Sequence, residues 1–315
     1  MANTTQKSQV KSSNKPSEPS HKARTFFSAL LGTVAVYLIL MSITVVWLNR
    51  TLTDTNTYVA TVGPLVSKPE IQNYVADKVT DQILQNAPTV DLAKKLLPAK
   101  VVQLAPAPEQ LKAALQPIIR QNVLQVVQSQ QFAQLWQSTN QSAHAALVTQ
   151  LNSNNVSAIS LDLSPAITGV VAQLKTTQLK PIADQIKVKS DTGKLDIKND
   201  KIKRIHYFYH LFKEGTIVLI LLAILLAASA IWLSTHHGKT ARRILFGVGI
   251  LSLLQAAILA APSYATISGT NAADQAAAKT IAQALFHNLQ VASLVIGLVC
   301  IVIAIGWKLF AKFKH

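Results

Sequence analysis

Four stretches of the chain, residues 25–48, 213–235, 244–264 and 288–307, carry apolar runs with no ionisable side chain at their centres. Each is close to the roughly 20 residues that a helix needs to cross a bilayer core of ~30 Å. The first reads FFSALLGTVAVYLILMSITVVWL and follows several basic residues, as a secretory signal does. Its apolar core is longer than the roughly 7–15 residues of a signal, and no small-x-small site follows, so it is expected to stay as an anchor. The pattern therefore predicts a mainly α membrane protein with four transmembrane helices.

Residues 49–212, between the first two spans, change period. Apolar positions there recur every three or four residues, as on helices packed along one side. Ser67 with Pro69 and Glu70 reads as a cap and first turn, followed by Ile71, Tyr74, Val75, Val79 and Ile83 on one face. A short helix is expected from Asp91 to Pro98. A longer one follows from Glu109, with Pro117 set to kink or divide it. The sharpest helix starts after Ser129 and aligns Phe132, Leu135, Trp136, Ala143, Leu147, Val148 and Leu151 opposite a Gln, Ser and Asn face. VSAISLDL alternates as a short strand, and Ser164–Pro165 opens another helix. DQIKVKSDTGKLDIKND reads as a hairpin around Asp-Thr-Gly. KIKRIHYFYHLFKEG is a last helix expected to run straight into the second span. The unit as a whole is a largely helical domain with a short strand or hairpin. Residues 265–287, before the fourth span, are Ala-rich. From Asn271 they are expected to extend that span outward as one helix, leaning on the domain through Lys201–Phe212.

Charge gives this layout a direction. The tail 1–24, a Ser/Lys/Asn/Pro-rich segment without apolar periodicity, is expected to be disordered and is basic. The loop 236–243 carries Lys239, Arg242 and Arg243, and the tail 308–315 carries Lys308, Lys312 and Lys314. The loop 265–287 is not enriched in bases. The alternation places both termini in the cytoplasm and the large domain outside, in a multi-pass protein of the plasma membrane. Lys198, Lys201, Lys203 and Arg204 run against it, but long translocated domains are largely exempt. A net charge of +16 in a soluble chain would point to nucleic acid. Here the chain is half hydrophobic and only 14% charged, so the bases are read against anionic lipid head groups and no nucleic acid is expected. The single Cys300 excludes a disulfide framework.

Candidate chemistry is sparse. No GxSxG, HExxH, P-loop or dinucleotide fingerprint is present. Asp77 and Asp81 sit one helical turn apart but read as a solvated face. His206 and His210 have two-ligand helical spacing, yet they bracket Tyr207, Phe208 and Tyr209. With Trp47 and Trp307, those aromatics read as membrane-interface residues. Trp136, Asn140 and His144 stand out as an interaction or structural site, with His144 a hydrogen-bonded cap over the core beside Asn140. Cys300 reads as a packing residue. The spans lack central charges, which argues against ion-coupled transport.

The opening WLNRTLTDTNTYVATVGPLVSKPEIQNYVADKVT resembles the segment after the first span in a family of uncharacterised four-span membrane proteins common in actinobacteria. So does the helix motif F-x-x-L-W-x-x-x-N-x-x-A-H, carried here by Phe132, Leu135, Trp136, Asn140, Ala143 and His144 and followed by VSAISLDLSPAI. This chain differs in being rich in Lys, Gln and Asn. The resemblance implies architecture and location and no activity. The expected role is a non-enzymatic envelope interaction or scaffold protein without a cofactor, its partner a second protein or another copy of itself. A permease-like export subunit is the alternative, and an outer-surface hydrolase a third reading.

Overall fold

The computed structural model describes residues 21–86, 89–104, 107–153, 159–184, 194–197, 200–261 and 272–313. Four helices are long and apolar enough to cross a membrane: α1 (His21–Thr53), α10 (Asp200–Leu233), α11 (His237–Ala260) and α12 (Ala272–Phe313). Their mean hydropathy lies between 2.0 and 2.8. The chain is thus a multi-pass helical membrane protein. Between α1 and α10 lie α2 (Thr55–Val62), a 3-10 turn (Gly63–Ser67), α3 (Pro69–Asn86), α4 (Thr89–Leu96), α5 (Ala99–Leu104), α6 (Pro108–Val127) and α7 (Gln130–Leu151). Strand β1 (Ile159–Asp162), α8 (Ser164–Leu174), α9 (Lys180–Ala183) and β2 (Lys194–Ile197) complete this domain.

The helix boundaries differ from expectation in several places. α1 already begins at His21, within the segment 1–24 expected to be disordered, and runs on to Thr53. α12 continues through the expected tail to Phe313, while residues 1–20 lie outside the described set. Residues 236–243 are not a loop, because α11 already begins at His237 and Lys239, Arg242 and Arg243 ride on its first turns. Ser234 makes the tight turn possible. Its Oγ accepts the His236 N–H at 3.1 Å and lies 2.7 Å from the Thr240 hydroxyl. At the other end α11 stops at Ala260, and residues 262–264 lie outside the described set.

Two tight pairs make the bundle: α1 on α10, and α11 on α12, joined mainly by α1 against α11. Small residues set the closest approach. A Cβ at Gly249 would stand 2.6 Å from Ile301 Cγ1 and 3.1 Å from the Gly297 carbonyl, so only glycine lets α11 and α12 meet there. Polar links cross the apolar layer and fix the register of the helices. Gln255 Nε2 donates to Thr44 Oγ1 at 2.9 Å, Ser28 Oγ to the Ala230 carbonyl at 2.8 Å, and Asn49 Nδ2 to Thr216 Oγ1 at 3.2 Å.

The domain core lies among α3, α4, α6, α8 and α9. Leu92, Leu111, Leu115, Ile119 and Leu179 are almost completely buried there. Each such side chain contributes about 1.5–3 kcal/mol relative to exposure. Pro117 sits inside α6 without dividing it. Ser129 caps α7 as expected, its Oγ accepting the Phe132 N–H at 3.1 Å. Ser67 does not cap α3: it ends the 3-10 turn, and the carbonyl of Lys68 receives the amides of Ile71 and Gln72. Ser164 likewise is already helical, its N–H held by Asp162 Oδ1 at 2.9 Å.

One strand of the expected hairpin is present as β2, and it makes a longer-range pairing. β2 lies antiparallel to β1, with Ile159 opposite Ile197 and Asp162 opposite Lys194. The hairpin's first strand falls outside the described residues. α10 does run unbroken from Asp200 into the second span.

The outward extension of α12 is continuous with its span, as expected, but its partner is different. It leans on α3, α2 and the 3-10 turn. Ala277 is buried against Leu65 and Ile71, and Asp274 Oδ1 pairs with Lys78 Nζ at 3.0 Å. Lys201–Phe212 is engaged elsewhere. Ile202 packs with Leu151 and Ile159, and Lys213 Nζ donates to Asn152 Oδ1 at 2.6 Å. The domain is therefore gripped on two sides, by α12 on α3 and by α10 on the end of α7.

Candidate functional site

Trp136, Asn140 and His144 recur every four residues and so share one face of α7. That face meets α2, the short helix immediately after α1. Trp136 Nε1 donates to the Val62 carbonyl at 3.1 Å, where α2 ends. Asn140 Nδ2 donates to the Trp136 carbonyl at 2.8 Å, while its Oδ1 accepts from the Tyr58 hydroxyl at 3.4 Å. The Tyr58 ring lies flat on the His144 ring, with centroids 4.1 Å apart and 18° between planes. His144 Nδ1 lies 3.1 Å from Thr55 Oγ1, and only 7% of the residue is exposed. The three residues thus form a seam joining α7 to the first span. His144 is the buried cap that the sequence suggests, but Tyr58 mediates between it and Asn140.

The electrostatics suit a structural joint. Burial pushes the His144 pKa below the ordinary 6.5, opposed by hydrogen bonding to the Thr51 backbone and by the charge of Asp54. Burial likewise raises the Tyr58 phenol. Asp54 caps α2, its Oδ1 accepting the Thr57 N–H at 2.6 Å, and that bond holds its carboxyl below the usual range. A neutral imidazole between a hydroxyl and a stacked phenol is a linker of elements. The sequence reading missed Thr55 and Tyr58, although TLTDTNTY carries the capping signal of Asp54.

The neighbouring face of α7 borders a cleft of about 580 Å³. Gln134, Gln137 and Gln141, at spacings of three and four, form one wall; Asn56 of α2 joins them over Val59 and Pro64. No ionisable side chain lines the cleft. Its amides offer donors and acceptors together and suit a neutral, hydrogen-bonding ligand on a partly apolar floor.

The remaining candidates are dispersed. The His206 and His210 rings are 4.5 Å apart, but His206 Nε2 meets the Ser153 carbonyl at 3.0 Å and His210 Nδ1 lies 3.5 Å from Glu214. Among the described residues no group of three His, Cys, Asp or Glu side chains is placed to hold a metal. Asp77 pairs with Arg120 Nε at 2.5 Å, and Arg120 also donates to Asn73, so Asp77 is committed on the α3–α6 contact and not to His144. Cys300 packs against the bundle core.

The rings expected at the membrane interface differ in exposure. Trp47 packs on Phe286 at 5.3 Å, and Tyr207, Phe208 and Trp307 are exposed. Tyr209 is not an interface residue. It is 6% exposed, packed with Leu151, Ile159 and Ile202, because β1 and the end of α7 close over that side of α10. Trp232, unremarked in the sequence, is 80% exposed near the end of its span. Phe27 and Trp47 on α1, and Phe286 and Trp307 on α12, are each about 30 Å apart at 1.5 Å per residue, the thickness of a bilayer core. No protein-family model matches the chain, and no curated protein or solved structure matches it either.

Proposed function

We propose that this protein is a non-enzymatic interaction or scaffold protein of the cell membrane. Its domain stands outside and both termini lie in the cytoplasm. The observation that carries the role is the amide-lined cleft between α2 and α7, built on a helix that is seamed to the first span. A binding surface fixed to the bundle in this way presents a partner at a defined height and orientation above the membrane. The orientation is supported by Lys239, Arg242, Arg243 and Lys308, which lie at the end of the bundle away from the domain. The bilayer is the first partner, with anionic head groups at the basic ends. The second is a protein or another copy of the chain, met through the cleft. Membership of the actinobacterial four-span type is part of the same proposal, resting on the Phe132–His144 motif.

Mild crosslinking in the native membrane, followed by copurification, tests the role. The wild type and Gln121→Arg, on α6, are expected to capture the same partner, and Gln137→Arg/Gln141→Arg to lose it. Identical recovery from all three overturns the cleft as the contact. Maleimide labelling from outside, in a Cys300→Ser background, tests the orientation. Gln150→Cys is expected to react while Ser13→Cys and Lys314→Cys stay silent, and the reverse pattern overturns it.

A further inference from the structure

At the end of the bundle away from the domain, a second cavity of about 590 Å³ opens between α1 and the α10–α11 turn. Its α11 wall is Lys239, Arg243, Gly247 and Leu251, a four-residue repeat that changes from cationic at the mouth to apolar inside. The facing α1 wall follows the same gradient, from Ser28 at the mouth through Gly32 to Val36. From Lys239 to Leu251 the helix rises about 18 Å, close to the ~15 Å of one leaflet's hydrocarbon. Gly247 keeps the inner wall close, since a Cβ there would stand 3.2 Å from Val36. His236 also lines the mouth, and no carboxylate lines the cavity at all. Among the described residues neither Lys239 nor Arg243 is ion-paired, so two cations converge on the mouth without a counter-charge.

We propose that this cavity is a binding site for one anionic glycerophospholipid, with its phosphate between Lys239 and Arg243 and an acyl chain along the Gly32–Gly247 slot. A soluble anion would satisfy the cations but leave the slot uncovered, whereas a zwitterionic lipid would fill the slot but bring its own ammonium to the two cations and no net counter-charge. An anionic lipid matches both halves, and the depth of the slot matches one leaflet. This goes beyond the general attraction of basic flanks to a charged membrane, which needs no cavity and is shared by every exposed base. A lipid seated here would also bridge α1 and α11 at their contact.

Native mass spectrometry of the full-length protein in detergent, with added phosphatidylglycerol or phosphatidylcholine, reads the site directly. One phosphatidylglycerol is expected to be retained at least tenfold better than phosphatidylcholine. Lys239→Gln and Arg243→Gln should each lower its retention about fivefold, as a lost near-surface charge does. Arg243→Lys should keep it within about twofold, and Arg242→Gln, on the same helix but outside the cavity, should leave it unchanged. Inorganic phosphate and chain-free glycerophosphoglycerol should not displace the lipid. Circular dichroism of each variant verifies folding, and Lys239→Gln carries the comparison if Arg243→Gln fails to fold. Equal retention of the two lipids, equal loss in Arg242→Gln, or displacement by phosphate alone overturns the proposal.

Discussion

Trp136→Ala removes the side chain that ties α7 to the end of α2, and two effects add. Full truncation of a core aromatic costs about 3–5 kcal/mol. Trp136 is mostly but not fully buried, so about two-thirds of the low end of that range, about 2 kcal/mol, is expected from lost packing. The indole N–H also leaves the Val62 carbonyl, 3.1 Å away, without its donor. That adds about 1 kcal/mol. The total of about 3 kcal/mol corresponds to a midpoint shift of about 1.5 M in urea for a slope of about 2 kcal/mol/M. Trp136→Phe keeps most of the apolar body and should lose only about 1–1.5 kcal/mol. Gln137→Ala, on the exposed cleft face, should stay within about 0.5 kcal/mol. Pulse proteolysis of the full-length protein in detergent, over a urea series, separates the three. Equal midpoints for Trp136→Ala and Gln137→Ala would mean that α7 presents a different face to α2. A Trp136→Phe loss as large as that of Trp136→Ala would mean that the hydrogen bond, and not packing, holds the seam.

Acidification should weaken the domain through His144. Its folded pKa lies below 6.5, so the unfolded chain takes up the proton first. The contribution is complete above about pH 6.5 and is lost as pH falls below it. His144→Phe keeps a ring on Tyr58 and should show a smaller midpoint change between pH 7.5 and 5.5; equal changes reject the assignment. In the bundle, Gly249→Ala should destabilise by about 1–3 kcal/mol, because the added Cβ meets Ile301 at 2.6 Å and the Gly297 carbonyl at 3.1 Å. Gly306→Ala, with no atom within 4 Å of the new Cβ, should be neutral or stabilising by up to about 1 kcal/mol. Thermal unfolding in detergent compares the two.

The spans were legible because a bilayer imposes a length that few soluble helices reach with so little charge. The α7 stripe was legible because its period is local. What escaped the sequence depends on partners far along the chain. Tyr209 reads as one of three consecutive interface rings until β1 and Leu151 close over it. His144 sits one position off the apolar stripe, and its partners Thr55 and Tyr58 lie on a helix of only eight residues that local pattern merges with the segment around it. The glutamine face of α7 reads as solvated. It becomes the wall of a cleft only once the Gly63–Pro64 turn is folded against it. The α12 extension shows the same limit: its weak apolar side signals that something covers it, but not that α3 does.

Amide hydrogen exchange across Ala272–Ala284 in the intact protein tests most directly whether domain and bundle form one body. An Ala-rich helix standing alone in water exchanges quickly. Docked on α3 through Ala277 and the Lys78–Asp274 pair, the same amides should be protected by orders of magnitude. Ile71→Asp should strip that protection while leaving residues 289–304 unaffected. Exchange within seconds throughout Ala272–Ala284 in the wild type would contradict the docking and leave the domain on a loose tether.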